Sequence, residues 1–449
     1  MTTLDVADQS SNILSTKEGM YMKMKRCLAW LFVALISCSL LSLSACADNN
    51  KLEQQKHELI TQQLITTVEH DAELKEMLVE SIAKAKQINP DRVMNPAQTL
   101  EEYYTFIDWA AKAMPWSILP NLPYSRLYEQ IDQSLDYFYF INDQPLSSLE
   151  DKGYYNNSLQ YHEPYRTWMI HFTKEWGVYL STEESWNDEY YKKAFADERF
   201  GLQKGWYEDP SRWKTFNDFF ARFLKSPDQR PIASATNPAI ITAPADSTPQ
   251  GVWKIDENSN IVSHGGIPIK SNIFTSIKVL IGKDSQYINE FTNGTLTHTF
   301  LDVNDYHRYH FPIGGTIKEV RIIQRDDAAG GITKWNAELN KYVLESETPG
   351  WQNIETRGCV IIETENYGLA ALLPIGMSQI SSVNFESTVT VGNTVKKGDM
   401  LGYFLFGGSD FVILLQEKVD FQITVPQDNN SKYKHLLMGE EYGTLTVTK

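Results

Sequence analysis

The sequence predicts an α+β protein, a helical N-terminal domain followed by a β-rich C-terminal domain. Three observations carry this. Between about Asn95 and Leu224, apolar and aromatic residues recur at helical spacing. From Ala233 onward, short β-branched runs alternate with Gly, Asn and Asp turns, the pattern of strands joined by short connections. The chain has 449 residues, more than one ordinary core requires, so roughly two domains are expected. The boundaries that follow are 1–46 for an export segment, 47–210 for the helical domain and 211–449 for the β-rich domain.

A hydrophobic content of 42% with 12% aromatics is that of a folded chain. The formal net charge of −16 argues against a nucleic-acid partner and against charge-driven docking on anionic lipid. A homo-oligomer is left open.

The N-terminal segment reads as a signal. Lys23-Met24-Lys25-Arg26 is basic, Leu28 to Leu43 is apolar, and Leu43-Ser44-Ala45-Cys46 ends in small residues. The cysteine at that point resembles a bacterial lipobox. This implies lipidation of Cys46 and attachment to a membrane on the periplasmic or outer side; an uncleaved anchor is the alternative. Met20, Met22 and Met24 are candidate starts. Of four cysteines, Cys27 and Cys38 fall in the signal and Cys46 would carry lipid. Cys359 alone remains, which excludes an intramolecular disulfide and a thiolate zinc site in the body. Its apolar run, Cys359-Val360-Ile361-Ile362, makes it a core residue.

Asp48 to Gln87 has sparse aliphatics at helical spacing, as a stalk or as the first helices of a domain. Thr99-Leu100-Glu101-Glu102 reads as a helix start with Thr99 as N-cap. That helix should run through Tyr103, Ile107 and Ala110 towards Met114, where Pro115 stops it. Trp116 to Pro120 extends the apolar patch. Strands are expected at Ala239–Thr242, Gly251–Ile255, Cys359–Glu363 and Thr388–Val391, with a long hairpin or insertion between Gly330 and Trp351.

Four separated stretches carry chemistry. In Thr215-Phe216-Asn217-Asp218-Phe219-Phe220-Ala221-Arg222-Phe223, four phenylalanines share one helical face, and Arg230-Pro231-Ile232 follows. Ala243-Pro244-Ala245-Asp246-Ser247 puts an aspartate at the end of a strand-like run, where a plain turn is the local reading. Asp305-Tyr306-His307-Arg308-Tyr309-His310-Phe311-Pro312 holds two of nine histidines at a spacing that could present both rings to one site. Acid–base work fits them, whereas no cysteine or carboxylate cluster follows to complete a metal site. Gly407-Gly408-Ser409-Asp410 interrupts a strand-like run. It lacks the second glycine of a hydrolase elbow, and locally it reads as a bulge or tight corner.

Together these stretches resemble the phosphatidylserine decarboxylase family of pyruvoyl enzymes. The Phe-Asn-Asp-Phe-Phe-x-Arg…Arg-Pro-Ile run, the Pro-x-Asp stretch, Tyr-His-Arg-x-His-x-Pro and a C-terminal Gly-Ser stand in the family's order, with Ile375-Gly376-Met377 and Val395 to Gly402 ahead of the last. The resemblance covers about residues 213–425. The helical stretch before it looks like the extra domain of some members, including ones acting on free aromatic amino acids.

The resemblance implies self-cleavage between Gly408 and Ser409. Ser409 attacks the Gly408 carbonyl, elimination follows, and a pyruvoyl group remains at position 409, so that β and α chains arise from one precursor. It implies His310 as the base, oriented by Asp246, and His307 as the proton donor, with His310 as second choice. The pyruvoyl cofactor would form a Schiff base with a substrate amine and accept electrons as CO₂ leaves. Phosphatidylserine is the first substrate reading, a free amino acid of aromatic or other type the second, and a non-catalytic lipoprotein binding lipid or a partner the third. Two residues depart from the family pattern: Ser247, where glycine is frequent, and Asp410, where a small residue is frequent. Asp410 is expected near the reacting carbonyl, repelling a substrate carboxylate or attracting its amine.

Overall fold

The computed structural model describes residues 57–113, 133–262, 275–324, 332–345, 349–376 and 383–448. Cys46 with the signal, Pro115, the Trp116–Pro120 patch, Gly330-Gly331 and Met377 lie outside the described residues.

The helices follow their apolar periodicity. They are α1 Leu59–His70, α2 Ala72–Ile88, α3 Leu100–Ala110, α4 Gln133–Asn142, α5 Tyr165–Tyr179 and α6 Asp188–Ala196, with a short α7 Phe216–Phe220 and α8 Ile277–Ile281. Helices α1 and α2 bury Leu64, Val68, Leu74 and Leu78, so this stretch begins a domain rather than a stalk. Thr99 caps α3 by accepting from the Glu102 N–H. The Glu102 carboxylate accepts from the Gln98 N–H instead of closing the box on Thr99. The helix ends at Ala110, one turn short of Met114, because the Lys112 and Ala113 N–H groups bond to Trp109 and Ala110 in tighter i→i−3 turns.

The strands are β1 Ile240–Thr242, β2 Thr248–Lys254, β3 Thr295–Phe300, β4 Arg308–His310 and β5 Gly315–Ile323. Then come β6 Ile332–Asn336, β7 Lys341–Glu345, β8 Thr356–Glu363, β9 Leu369–Gly376 and β10 Val383–Phe385. The last are β11 Thr394–Val395, β12 Met400–Phe404, β13 Gly408–Leu415, β14 Val419–Ile423 and β15 Glu441–Val447. An antiparallel seven-stranded sheet runs β11-β5-β8-β9-β13-β3-β2, and β10-β12-β4 and β1-β15-β14 form smaller sheets. The hairpin expected in the 330–351 stretch is β6–β7; it leans on the helices through Tyr342, which donates to the Met94 carbonyl at 2.7 Å and accepts from Asn89 at 3.0 Å. The strand expected at Thr388–Val391 does not form. Its backbone closes local turns, Val389 N–H to Glu386 and Asn393 N–H to Thr390, and Val391 is exposed.

Strand β13 is central, between β9 and β3, and its residues Phe411 to Leu415 are fully buried. Side chains alternate across it. Phe411, Ile413 and Leu415 join the larger apolar core, which is continuous with that of the helices. Val412 and Leu414 join a second core with Cys359, Leu280, Phe291 and Trp351. The helical stretch and the sheets thus share one core, and helical structure runs past position 211, through α7, before the first strand begins at Ile240. Cys359 is buried in the second core, and burial pushes its thiol up to about 12.

Candidate active site

At position 409 the register of the central strand slips. Gly408 pairs with Gly376 and Asp410 with Ile375, so two steps on β13 match one on β9 and Ser409 is the extra residue of a β-bulge. Gly407, just before it, has φ 101°, a conformation that favours glycine. The local reading as a bulge and the reading as a special peptide bond therefore describe the same four residues. Bulges recur beside active sites because they release backbone from the ladder.

The Phe-rich motif builds the wall beside this bulge. Thr215 and Asp218 form a complete capping box on α7. The helix has only five residues, so Phe223 leaves the shared face expected of it. Phe223 is half-exposed and lies beneath the Arg308 guanidinium, 3.2 Å from its ring centre. Phe216 and Phe220 pack edge-on against Phe406, at 5.7 and 5.4 Å between ring centres. The Asn217 side-chain oxygen accepts from the Phe406 N–H at 3.0 Å, which pins the chain three residues before Ser409.

His307 belongs to this wall. Its ring stacks on Phe220 at 3.7 Å, and its carbonyl accepts from the Phe404 N–H at 2.9 Å. Nδ1 lies 2.9 Å from the Asp305 carbonyl, which only accepts, so Nδ1 carries the proton. Nε2 is therefore a lone pair; it is buried and has no hydrogen-bond partner. Burial, with the Arg222 charge adding to it, holds His307 well below the usual imidazole range. Arg222 in turn fastens the preceding loop, donating to the Asn304 and Asp305 carbonyls at 2.9 Å each.

His310 sits elsewhere. In the β4–β12 ladder it lies opposite Met400, whereas Arg308 lies opposite Tyr403, nearer the bulge. Its Nδ1–H donates to the Gly398 carbonyl at 2.9 Å, and its Nε2 accepts from the Tyr306 hydroxyl at 3.2 Å. Burial lowers it to about 4. The two histidines are thus not presented to one site: His307 faces the aromatic wall with a free nitrogen, and His310 has both nitrogens engaged.

Asp246 does not orient His310 through a hydrogen bond, contrary to the expectation from the resemblance. Both its oxygens face Arg230, at 3.0 and 2.7 Å, and Oδ1 also accepts from the Met438 N–H at 2.7 Å. A buried carboxylate takes the guanidinium fork in preference to a neutral ring. The two segments are still neighbours, since the His310 N–H donates to the Pro244 carbonyl at 2.7 Å, and the Asp246 charge favours a protonated His310. Arg230 is also stacked over Trp206, 4.2 Å from its ring centre. Nearby, burial raises Asp305 to about 7 despite its bond to His435.

Asp410 is not aimed at an incoming substrate. It is fully buried and turned to the second core. His298 Nδ1 lies 3.2 and 3.0 Å from its two oxygens, Gln352 Nε2 donates at 2.7 Å, and the Phe411 N–H donates at 2.7 Å. Ser247 is likewise spent on structure: its hydroxyl donates to the Ala245 carbonyl and accepts from Thr299, and its backbone pairs with Leu436. Among the described residues no group of three or more metal-ligating side chains gathers, and no helix is long and apolar enough to cross a membrane.

The roles of Asn217, Arg222, Arg230, His298 and Gln352 escaped the sequence reading. Asn217 and Arg222 did leave a signal, as polar residues within a phenylalanine-rich turn. His298 left one too, sharing the apolar-core face of β3 with Leu296 and Phe300.

The family model described as phosphatidylserine decarboxylase matches residues 216–444. The decarboxylase iboD of Amanita muscaria is 28% identical over 59% of this chain and 80% of its own length. Phosphatidylserine decarboxylase proenzyme 2 of rice is 33% identical over 47% of this chain, which spans only 31% of that relative. An L-tryptophan decarboxylase of Psilocybe cyanescens is 29% identical over 55% of this chain and 62% of its own length. Bacterial phosphatidylserine decarboxylase proenzymes match as well. With Ser409 in its bulge and His307 on its aromatic wall, and with the family match covering just over half of the sequence, the chain belongs to the phosphatidylserine decarboxylase family, whose members are carboxy-lyases.

Proposed function

We propose that the chain is a self-cleaving, pyruvoyl-dependent decarboxylase that converts phosphatidylserine to phosphatidylethanolamine and CO₂. The observation that carries this is the family match across 216–444, which includes the bulge at Ser409. In the cut, Ser409 Oγ bonds to the Gly408 carbonyl carbon as the Gly408–Ser409 C–N bond breaks, giving an ester and a free amine. Removal of the Cα proton expels the Gly408 carboxylate. Water then replaces the nitrogen, which leaves as ammonia.

The residues present fit a pyruvoyl group at 409: the glycines before it relax the backbone, and a base with a free, buried nitrogen stands on the adjoining wall. The group supplies an electrophilic carbonyl that withdraws electrons as CO₂ departs. The side chains handle protons and position. His307 is neutral at rest, so it takes a proton at Nε2 before it can give one. We assign it both acts: it accepts a proton from the substrate ammonium and returns one to the α-carbon. Asn217 and Arg222 hold the wall. The Arg230–Asp246 pair, Tyr306 and His310 support the strand behind it.

A free amino acid is the second reading, favoured by the similarity to a tryptophan decarboxylase over 55% of this chain. The test is CO₂ release from phosphatidylserine vesicles, tryptophan, tyrosine and serine by the purified protein. Release from the vesicles alone supports the first reading, and release from a free amino acid alone replaces it with the second. For residues 1–46 we propose an exported lipoprotein anchored through Cys46. A diacylglycerol mass on the peptide beginning at Cys46 is its check.

A further inference from the structure

We propose that Asp410 is a positioning residue: with His298 and Gln352 it pins the C-terminal side of the peptide bond that is cut, and it holds the new chain end afterwards. The inference rests on the self-cleavage reading above. A bulge frees its residue from the ladder, and a severed chain end frays unless it is tied down. Cleavage before Ser409 makes Asp410 the second residue of a new chain. The side chains that grip its carboxylate, His298 and Gln352, then belong to the other piece.

The grip is built for permanence. The Asp410 and His298 side chains are fully buried. His298 is stacked on Trp253 at 5.0 Å and 26° between planes, which fixes the ring that donates. Gln352 is held at its other end, where its oxygen accepts from the Gly350 N–H at 2.7 Å, so its amide group presents N–H to Asp410. The donor directions are therefore set from both sides, and only an acceptor suits position 410. Asp410 also accepts from the next N–H along the strand, that of Phe411, so its carboxylate is held where the regular ladder begins. Phe411 faces the other core, against Tyr309 at 5.9 Å between ring centres. The two successive residues thus anchor the strand start to opposite faces of the sheet.

The test reverses one hydrogen bond. In Asp410→Asn, an amide that still satisfies His298 turns its NH₂ against the Gln352 NH₂. In Gln352→Glu, two carboxylates face each other. In the double variant the new amide at position 410 meets the new carboxylate at position 352, which still accepts from Gly350. The full chain is made by cell-free synthesis, and intact mass follows the cut over time, with a melting temperature measured for each variant. Each single variant is expected to cut roughly tenfold more slowly or worse, and the double variant to recover to within about threefold of wild type. In cut protein, hydrogen exchange at 410–412 should rise in the singles and fall back in the double. Singles that cut at the wild-type rate, or a double no faster than either single, would overturn the proposal. A wild-type chain that is never cut would overturn the self-cleavage reading itself, an outcome visible before any variant is compared.

Discussion

His307 and His310 stand three residues apart in one motif, yet their surroundings differ in the way that matters for chemistry. His307 spends one nitrogen on the Asp305 carbonyl and keeps the other free against Phe220. His310 spends both, on Gly398 and Tyr306, and its neighbour Asp246 is committed to Arg230. Both rings are buried and neutral, so burial alone does not mark a base. A free lone pair does. The difference teaches that an Asp, a His and a Ser in that order along a chain do not make a relay when an arginine is available to claim the carboxylate.

The contrast breaks most directly at the histidines. His307→Gln should lower both the cut and CO₂ release by roughly 10²- to 10⁴-fold, the usual worth of a positioned base. His310→Gln should lower them by about tenfold or less. Intact mass and CO₂ release check both, and equal losses in the two variants would erase the distinction drawn here.

The Asp246 neighbourhood should show itself in stability. Arg230→Met leaves a buried carboxylate with one N–H partner and should cost about 3–5 kcal/mol in denaturant unfolding. A loss confined to turnover, with unfolding unchanged, would return Asp246 to a catalytic role.

The pH dependence follows from His310. Its pKa is about 4 in the folded protein, against about 6.5 in an unfolded chain. Between these values the unfolded chain binds a proton that the folded one does not. Stability is therefore full above about pH 6.5 and falls as pH drops towards 4, by on the order of 3 kcal/mol from this group. His307, lowered in the same direction, adds to the loss. His310→Gln should flatten the acid limb of a melting curve series.

The smallest effect concerns the wall. Asn217→Ala strips the Phe406 N–H of its acceptor and should cost about 1–3 kcal/mol. The cut should slow more than the melting temperature predicts, because the loosened segment leads directly into Gly407 and Ser409.

How much of this was legible in the sequence depends on the range of the interaction. The Thr99 cap, the β6–β7 hairpin and the buried run Phe411–Leu415 are set by local pattern, and they formed where the pattern put them. Thr388–Val391 has strand composition but closes turns with Glu386 and Asn393, and pairing with β5 starts only after it. The site was legible as a set of residues but not as a set of contacts. Arg230 and Asp246 are sixteen residues apart and His298 and Asp410 more than a hundred. Nothing in either local stretch says which acceptor a buried donor will find. Asp410 is the sharpest case: beside Ser409 in sequence, it is buried against His298 and Gln352, which lie far away along the chain.

The proposed chemistry turns on whether the bond between Gly408 and Ser409 is made to break. Intact mass of the purified wild-type protein tests this most directly. Two pieces are expected, one of them spanning 409–449, 41 residues, with a pyruvoyl group in place of its first serine. A single uncut chain in folded protein would contradict it.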